Sequence, residues 1–173
     1  MANFPQRRAG GRRRREGGSR EEKEFQQKII DIRRVTRVVA GGKRMRFRAT
    51  VALGDGKGRV GIGIGKGLDV TTAVSKGSTR ARKSLLNVPI VNETIPHEVR
   101  VKFGAAKVIL KPAPKGSGVI AGGPIRSIVE LAGIRNVVAK MLGSSNKVNN
   151  VYAVMEALRQ LQTRDDLKRK LSA

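Results

Sequence analysis

The stretch GGKRMRFRATVALGDGKGRVGIGIGKG, from Gly41 to Gly67, limits the possible folds of this chain more than any other. From Met45 its alternation is strict. Met45, Phe47, Ala49, Val51 and Leu53 fall on one side, and Arg44, Arg46, Arg48 and Thr50 on the other, the pattern of a strand with one apolar face. Gly54-Asp55-Gly56-Lys57 is a strong turn signal, and Arg59 opens a further strand in which Val60, Ile62 and Ile64 alternate with Gly61, Gly63 and Gly65. Glycine at every second position leaves one face bare, so that another backbone can approach closely. Upstream, Ile30 and Ile32 keep one phase while Val35, Arg37 and Val39 keep the other, which predicts a strand with a bulge near Arg33-Arg34. Gly41-Gly42 supplies the corner of the hairpin. The expected unit is a small antiparallel sheet with an apolar back and a front studded with arginine.

The remainder reads as one helix and then a second unit. Asp69 is a good N-cap for a helix running to about Leu86. Val70, Val74, Gly77, Ala81 and Leu85 share its inward side, while Lys76, Arg80 and Lys83 form a solvated or RNA-contacting side. Pro89 to Pro96 reads as a linker. Val99, Val101 and Phe103 then alternate with Glu98, Arg100 and Lys102, and a strand from Lys107 to Lys111 leads into the loop PAPKGSGVIAGGP. Pro124 suits the first turn of a helix whose buried stripe is Ile125, Ile128, Val129 and Ala132, ended by Gly133. Ile134 to Leu142 fits either a short helix or a strand. Asn149 to Gln162 is an amphipathic helix with Tyr152, Met155 and Leu158 on its apolar side. The expected organisation is a basic tail over residues 1–24, domains over 25–88 and 89–163, and a polar tail over 164–173.

Charge bounds the partner. A formal net charge of +24 makes a lone compact domain repel itself, so an anionic partner is expected, and nucleic acid supplies phosphate at high, regular density. Arg7, Arg8, Arg12, Arg13, Arg14 and Arg15 make the tail an arm suited to RNA phosphates. Only 3% of the residues are aromatic, which disfavours base stacking and favours reading structured RNA by shape and charge. No apolar run approaches the roughly 20 residues that span a bilayer, and no signal peptide is recognisable, so the expectation is a soluble, unexported protein without a membrane partner. The absence of Cys removes disulfides and thiolate metal sites, and neither a metal nor a cofactor is expected.

Catalytic motifs fail on their spacing. GIGIGKG has Val60 where a phosphate-binding P-loop needs glycine, and Gly67 where it needs Ser or Thr. Gly116, Gly118 and Ala121 match a dinucleotide fingerprint only weakly, because Pro112 and Pro114 separate them from the preceding strand. The simpler reading has the amides of that loop meet RNA phosphate, helped by Lys111 and Lys115. His97, the single histidine, suits a structural role better than that of a general base. Asp165-Asp166 sits in the polar tail, and the sequon at Asn92 carries no weight without secretion. No enzyme is expected.

The segments FQQKIIDIRRVTRVVAGGKRMRFRATVALGDGKGRVGIGIGKGLDV and VILKPAPKGSGVIAGGPIRSIVELAGIRNVVAKMLGSSNKVNNVYAVMEAL resemble protein five of the small ribosomal subunit in its bacterial form, over about Phe25 to Leu161. The resemblance implies an α+β fold: a double-stranded-RNA-binding-like domain of three antiparallel strands and a helix, then a C-terminal α+β domain in which Ile134 to Leu142 is largely strand. It implies a cytoplasmic protein of the small subunit that binds rRNA near the head–body junction, neighbours ribosomal proteins four and eight, and supports decoding accuracy and mRNA entry. The loop matching Val38 to Arg44 is expected to approach the rRNA of the neck. Ala40 stands where the family's V-V-K-G-G has lysine, with Lys43 and Arg44 available to compensate. The expected RNA contacts are Arg33, Arg34, Arg37, Gly41, Gly42, Lys43, Arg44, Arg46, Arg48, Lys57, Arg59, Lys66, Lys111, Lys115, Gly116 and Gly118. A free-standing structured-RNA binder is the alternative.

Overall fold

The computed structural model describes residues 25–164 and 168. The arginine-rich arm and most of the polar tail lie outside the described residues. The first sheet has the order β1-β2-β3-β4, built from β1 (Gln26–Val39), β2 (Gly42–Gly54), β3 (Arg59–Gly67) and β4 (Leu85–Asn87). Helix α1 (Val70–Lys83) lies between β3 and β4. The second sheet has the order β5-β6-β8-β7, from β5 (Val99–Phe103), β6 (Ala106–Pro112), β7 (Val119–Ile120) and β8 (Val137–Gly143). Helix α2 (Gly123–Ala132) carries the chain from β7 to its parallel neighbour β8, and α3 (Lys147–Arg159) closes the fold.

The bulge in β1 lies between Ile29 and Asp31, three residues before the expected site. The earlier bulge leaves Ile32, paired with Ala49, on the α1 face, so Ile32 does not join Ile30 and Val35 on one side as the phase reading required. Ile30 turns into the core, and Asp31, Arg33, Val35 and Arg37 pair with Thr50, Arg48, Arg46 and Arg44 of β2. All eight therefore share one face, and Arg34, paired with Phe47, takes the other.

The apolar face of β2 and the bare face of β3 receive α1. Ala49 and Val51 pack with Ala73, and a Cβ placed on Gly65 would lie 2.6 Å from the amide nitrogen of Gly77. The close approach read from the glycine spacing is thus made by the chain's own helix. Its buried residues are Ala73, Gly77 and Ala81, whereas Val70 and Val74 are only half-buried. The helix also stops earlier than its pattern suggested. Leu85 and Leu86 turn into β4 to pair with Gly61 and Val60, adding a fourth strand to the three expected.

The front of the sheet is less open than its alternation suggested. It faces solvent only at one end, since Thr50, Ala52 and Gly54 are buried beneath the second half of the chain. Ala52, Val60, Ile62 and Val88 join Val108, Leu110, Ile125, Ile128 and Leu158 in one apolar cluster running through both halves. The β2–β3 turn seals this contact. Gly56 N–H donates to Leu131 O (3.0 Å) and Gly58 N–H to Ala132 O (2.8 Å), so carbonyls at the end of α2 find partners in the other half. Lys28 adds an ion pair with Glu130 at 2.8 Å.

In the second half Gly133 ends α2 in the left-handed conformation (φ 87°), as its position predicted. Ile134 to Leu142 resolves as a turn leading into β8, a strand as the resemblance implied. Helix α3 buries Asn150, Val151, Ala153, Val154, Ala157 and Leu158. Tyr152, read from its spacing as core, is instead 38% exposed and stacks on Phe103 at the rim.

Candidate nucleic-acid interface

Beyond the edge of the second half, the front face of the first sheet becomes a field of cations. Arg33 stands opposite Arg48, which stands opposite Lys66, and Arg37 stands opposite Arg44 with Arg46 between the two ranks. Like charges directly opposed across strands are destabilising, and a bound anion would offset that repulsion. Among the described residues, no carboxylate comes within ion-pair distance of Arg37, Arg44, Arg46, Arg48 or Lys66. Val35, Thr36, Val39, Arg37, Arg44, Arg46 and Lys66 line a shallow depression in this face.

The hairpin tip extends the field. Ala40 and Gly41 form a two-residue turn, and Gly42 (φ 131°) pairs with Val39. A side chain at Gly41 or Gly42 would meet nothing of this chain within 4 Å. Gly42 is required by its backbone angle, whereas nothing in the fold crowds Gly41. Lys43 and Arg44 are exposed beside it, and Val38 is 73% exposed.

The other expected contacts are scattered. Arg34 is exposed on the opposite face of the sheet. Lys57 and Arg59 lie at the far end, roughly 40 Å from the hairpin tip at about 3.3 Å per strand residue. There Asp55 organises the turn: Oδ1 accepts from the Lys57 and Arg59 amides (2.8 and 3.0 Å), and Oδ2 from Arg59 Nε at 2.6 Å. Burial alone would raise the Asp55 carboxyl, but these donors hold it below the ordinary carboxylate value. Arg59 also lies over the Phe25 ring, 5.2 Å from its centroid.

The PKGSG loop departs furthest from its reading. The Gly116 and Gly118 amides, expected to meet phosphate, both donate to Oδ1 of the buried Asn136 (3.1 and 3.2 Å). Their φ values of 90° and 68° explain the glycines without a ligand. Lys111 is 3.4 Å from Glu98, and Lys115 is exposed at the loop's edge. His97 is structural, as expected: its Nε2 accepts from the Gln162 amide at 3.2 Å, tying the end of α3 to the start of β5. Arg80 of α1 donates to Ile64 O (2.6 Å), and the hydroxyl of Ser84, the residue capping that helix, to Ile62 O (2.8 Å), covering the edge of β3 that β4 leaves open.

Sequence reading missed Asp31 and Asn136. Asp31 is the one acid within β1, β2 and β3, and an isolated acid among cations was the available signal. Asn136 had none, because its partners lie 18 and 20 residues earlier.

No group of three or more His, Cys, Asp or Glu among the described residues could hold a metal ion, and no described helix is long and apolar enough to cross a membrane. A two-part α+β protein with an unpaired cationic sheet face is, as a class, a polyanion-binding protein. Comparison with known proteins narrows the class. Residues 25–89 match the family model "Ribosomal protein S5, N-terminal domain", and residues 101–171 match "Ribosomal protein S5, C-terminal domain". The chain is 53% identical over 148 residues to small ribosomal subunit protein uS5 of Thermus thermophilus, covering 86% of this chain and 91% of that one. It is 47% identical over 149 residues to uS5 of Protochlamydia amoebophila, covering 86% and 89%. Against uS5c of Guillardia theta it is 54% identical over 144 residues, covering 83% and 85%. The chain belongs to the ribosomal protein S5 family. It is a structural protein of the small ribosomal subunit, not an enzyme, cytoplasmic in bacteria, with rRNA and other ribosomal proteins as its partners.

Proposed function

We propose that the chain docks on small-subunit rRNA through the exposed end of the first sheet, with Arg33, Arg37, Arg44, Arg46, Arg48 and Lys66 on phosphates. The hairpin tip from Val38 to Arg44 then probes the adjoining RNA. The observation that carries this reading is the opposition of Arg33, Arg48 and Lys66 across three strands, with no carboxylate paired to Arg48 or Lys66. Evenly spaced cations on a rigid sheet suit the phosphates of a folded RNA, and Arg side chains can contact them bidentately. The resemblance to bacterial ribosomal protein five supports placing this contact near the head–body junction, beside ribosomal proteins four and eight. It also supports a part in decoding accuracy and in the mRNA entry path. In this arrangement α1 backs the sheet, the second half covers the other end of the same front face, and the arm over residues 1–24 adds charge.

The test is the salt dependence of binding to small-subunit rRNA. Each phosphate contact contributes about 0.9 to the slope of log K against log salt on a duplex, so replacing Arg46 and Arg48 together lowers the slope by roughly 2. An unchanged slope would mean that this row faces solvent or protein. Sedimentation of a lysate separates the assembled protein from the free-standing alternative: the expected result is comigration with small subunits.

A further inference from the structure

We propose that Asp31 is a positioning residue for rRNA binding: it grips Arg33 by one nitrogen, aims the rest of the guanidinium at phosphate, and is itself held by Lys147 of the second half. The inference rests on the rRNA reading of the basic face.

The geometry assigns each carboxylate oxygen a separate partner. Asp31 Oδ2 accepts from Arg33 Nε at 2.9 Å, and Oδ1 accepts from Lys147 Nζ at 3.1 Å. The Asp31 side chain is 9% exposed, while that of Arg33 is 56% exposed. Because Nε is the nitrogen engaged and the side chain is largely exposed, the two terminal nitrogens are left to form the fork that matches phosphate oxygens. A carboxylate bound to the fork itself would have neutralised it. Exposed long side chains lose rotamer freedom on binding, so holding Arg33 in advance lowers that cost.

The bulge at Ile30 supplies the register. Without the extra residue, Asp31 and Arg33 would fall on the α1 face of the sheet. With it, Asp31 lies at the boundary where the second half stops covering the sheet and the cations begin. Lys147, in the first turn of α3, reaches across that boundary. An amine in a first helical turn is unfavourably placed with respect to the helix dipole, which Asp31 offsets. One carboxylate therefore ties the docking of the two halves to the aim of an RNA-facing arginine.

This role reverses the sign expected from charge alone. Deleting a negative charge beside a phosphate-binding face should tighten RNA binding. If Asp31 positions Arg33, the variant Asp31→Asn instead weakens binding of the full-length protein to small-subunit rRNA by about three- to tenfold, the size of coupling found between residues in contact. The salt slope falls by about one phosphate contact, and Asp31→Asn adds nothing further in an Arg33→Ala background. Arg33→Lys binds nearly as weakly as Arg33→Ala, because an ammonium paired with Asp31 has no fork left to offer. Lys147→Met leaves the Arg33 contact in place and costs less than Asp31→Asn. Arg33→Lys serves as the test if Asp31→Asn does not fold. Binding by Asp31→Asn as tight as or tighter than that of the unaltered protein overturns the proposal, as does full activity of Arg33→Lys. If Arg46→Ala with Arg48→Ala also leaves rRNA binding unchanged, the basic-face reading itself fails; if that pair weakens binding, only the positioning role is lost.

Discussion

Gly65 packs against the backbone of Ala73 so closely that no side chain fits between them. The same holds along β3, where a Cβ on Gly63 would lie 2.6 Å from the Ala81 nitrogen and one on Gly67 2.7 Å from the Ala73 nitrogen. The alternating glycines are the seat of α1, and the obstacle to any substitution is main chain, which cannot rotate away. Gly65→Ala is therefore expected to destabilise the protein at or above the roughly 1–3 kcal/mol typical of overpacking, read as a lower denaturation midpoint. Gly77→Ala should behave differently. Its Cβ would meet a side chain, Val51 Cγ2 at 2.9 Å, so adding Val51→Ala should recover part of the loss, whereas no single side-chain truncation should rescue Gly65→Ala.

Asn136 fixes the PKGSG loop from below. Asn136→Ala strands the Gly116 and Gly118 amides at a partly buried site, at roughly 1–3 kcal/mol for each unsatisfied group. Hydrogen exchange should accelerate at these two amides well beyond any change at Ser117, whose amide donates to Pro114 O. Unchanged exchange at both glycines would show that the loop is held by something else.

Much of the first half was legible because its signals are local. Alternation in β2, the turn at Asp55 and the glycine period of β3 each follow from neighbouring residues. The misreadings arose where distant chain decides. The bulge at Ile30 is set by what packs beneath it, and the buried Thr50 and Ala52 depend on a second half that the strand pattern cannot announce. Leu85 looked like the next helical turn until pairing with Gly61 claimed it for β4. The expected basic residues are exposed apart from the half-buried Arg48, but their geometry needed the register. Arg33, Arg37, Arg44, Arg46, Arg48 and Lys66 share one face, and Lys57, Arg59, Lys111 and Lys115 do not.

Acid should weaken the turn at the far end of the sheet. The Asp55 carboxyl is held below its ordinary value in the folded protein, so its contribution is fully present above the unfolded value of about 4 and is lost as pH falls through the folded value. Asp31, which Lys147 and Arg33 hold low against the opposing effect of burial, acts in the same sense. The stability gap between the unaltered protein and Asp55→Asn should be widest near neutrality and should narrow below about pH 4, as followed by thermal melts across that range. A gap that widened on acidification would contradict the assigned donors.

The two faces of the sheet make the sharpest test of how RNA lies on it. Arg33 and Arg34 are adjacent in sequence and both exposed, yet the register turns Arg33 toward Arg48 and Arg34 toward Phe47. A flexible basic segment would treat them as equivalent, whereas a rigid sheet lying on RNA by its front face would not. Arg48→Ala and Arg33→Ala should each lower the salt slope of rRNA binding by about 0.9, while Arg34→Ala should change it by much less. Because the three substitutions remove the same charge, any difference among them reports placement and not net charge. Equal slopes for Arg33→Ala and Arg34→Ala would mean that RNA wraps the strand from both sides, and the docking surface would then be the hairpin as a whole.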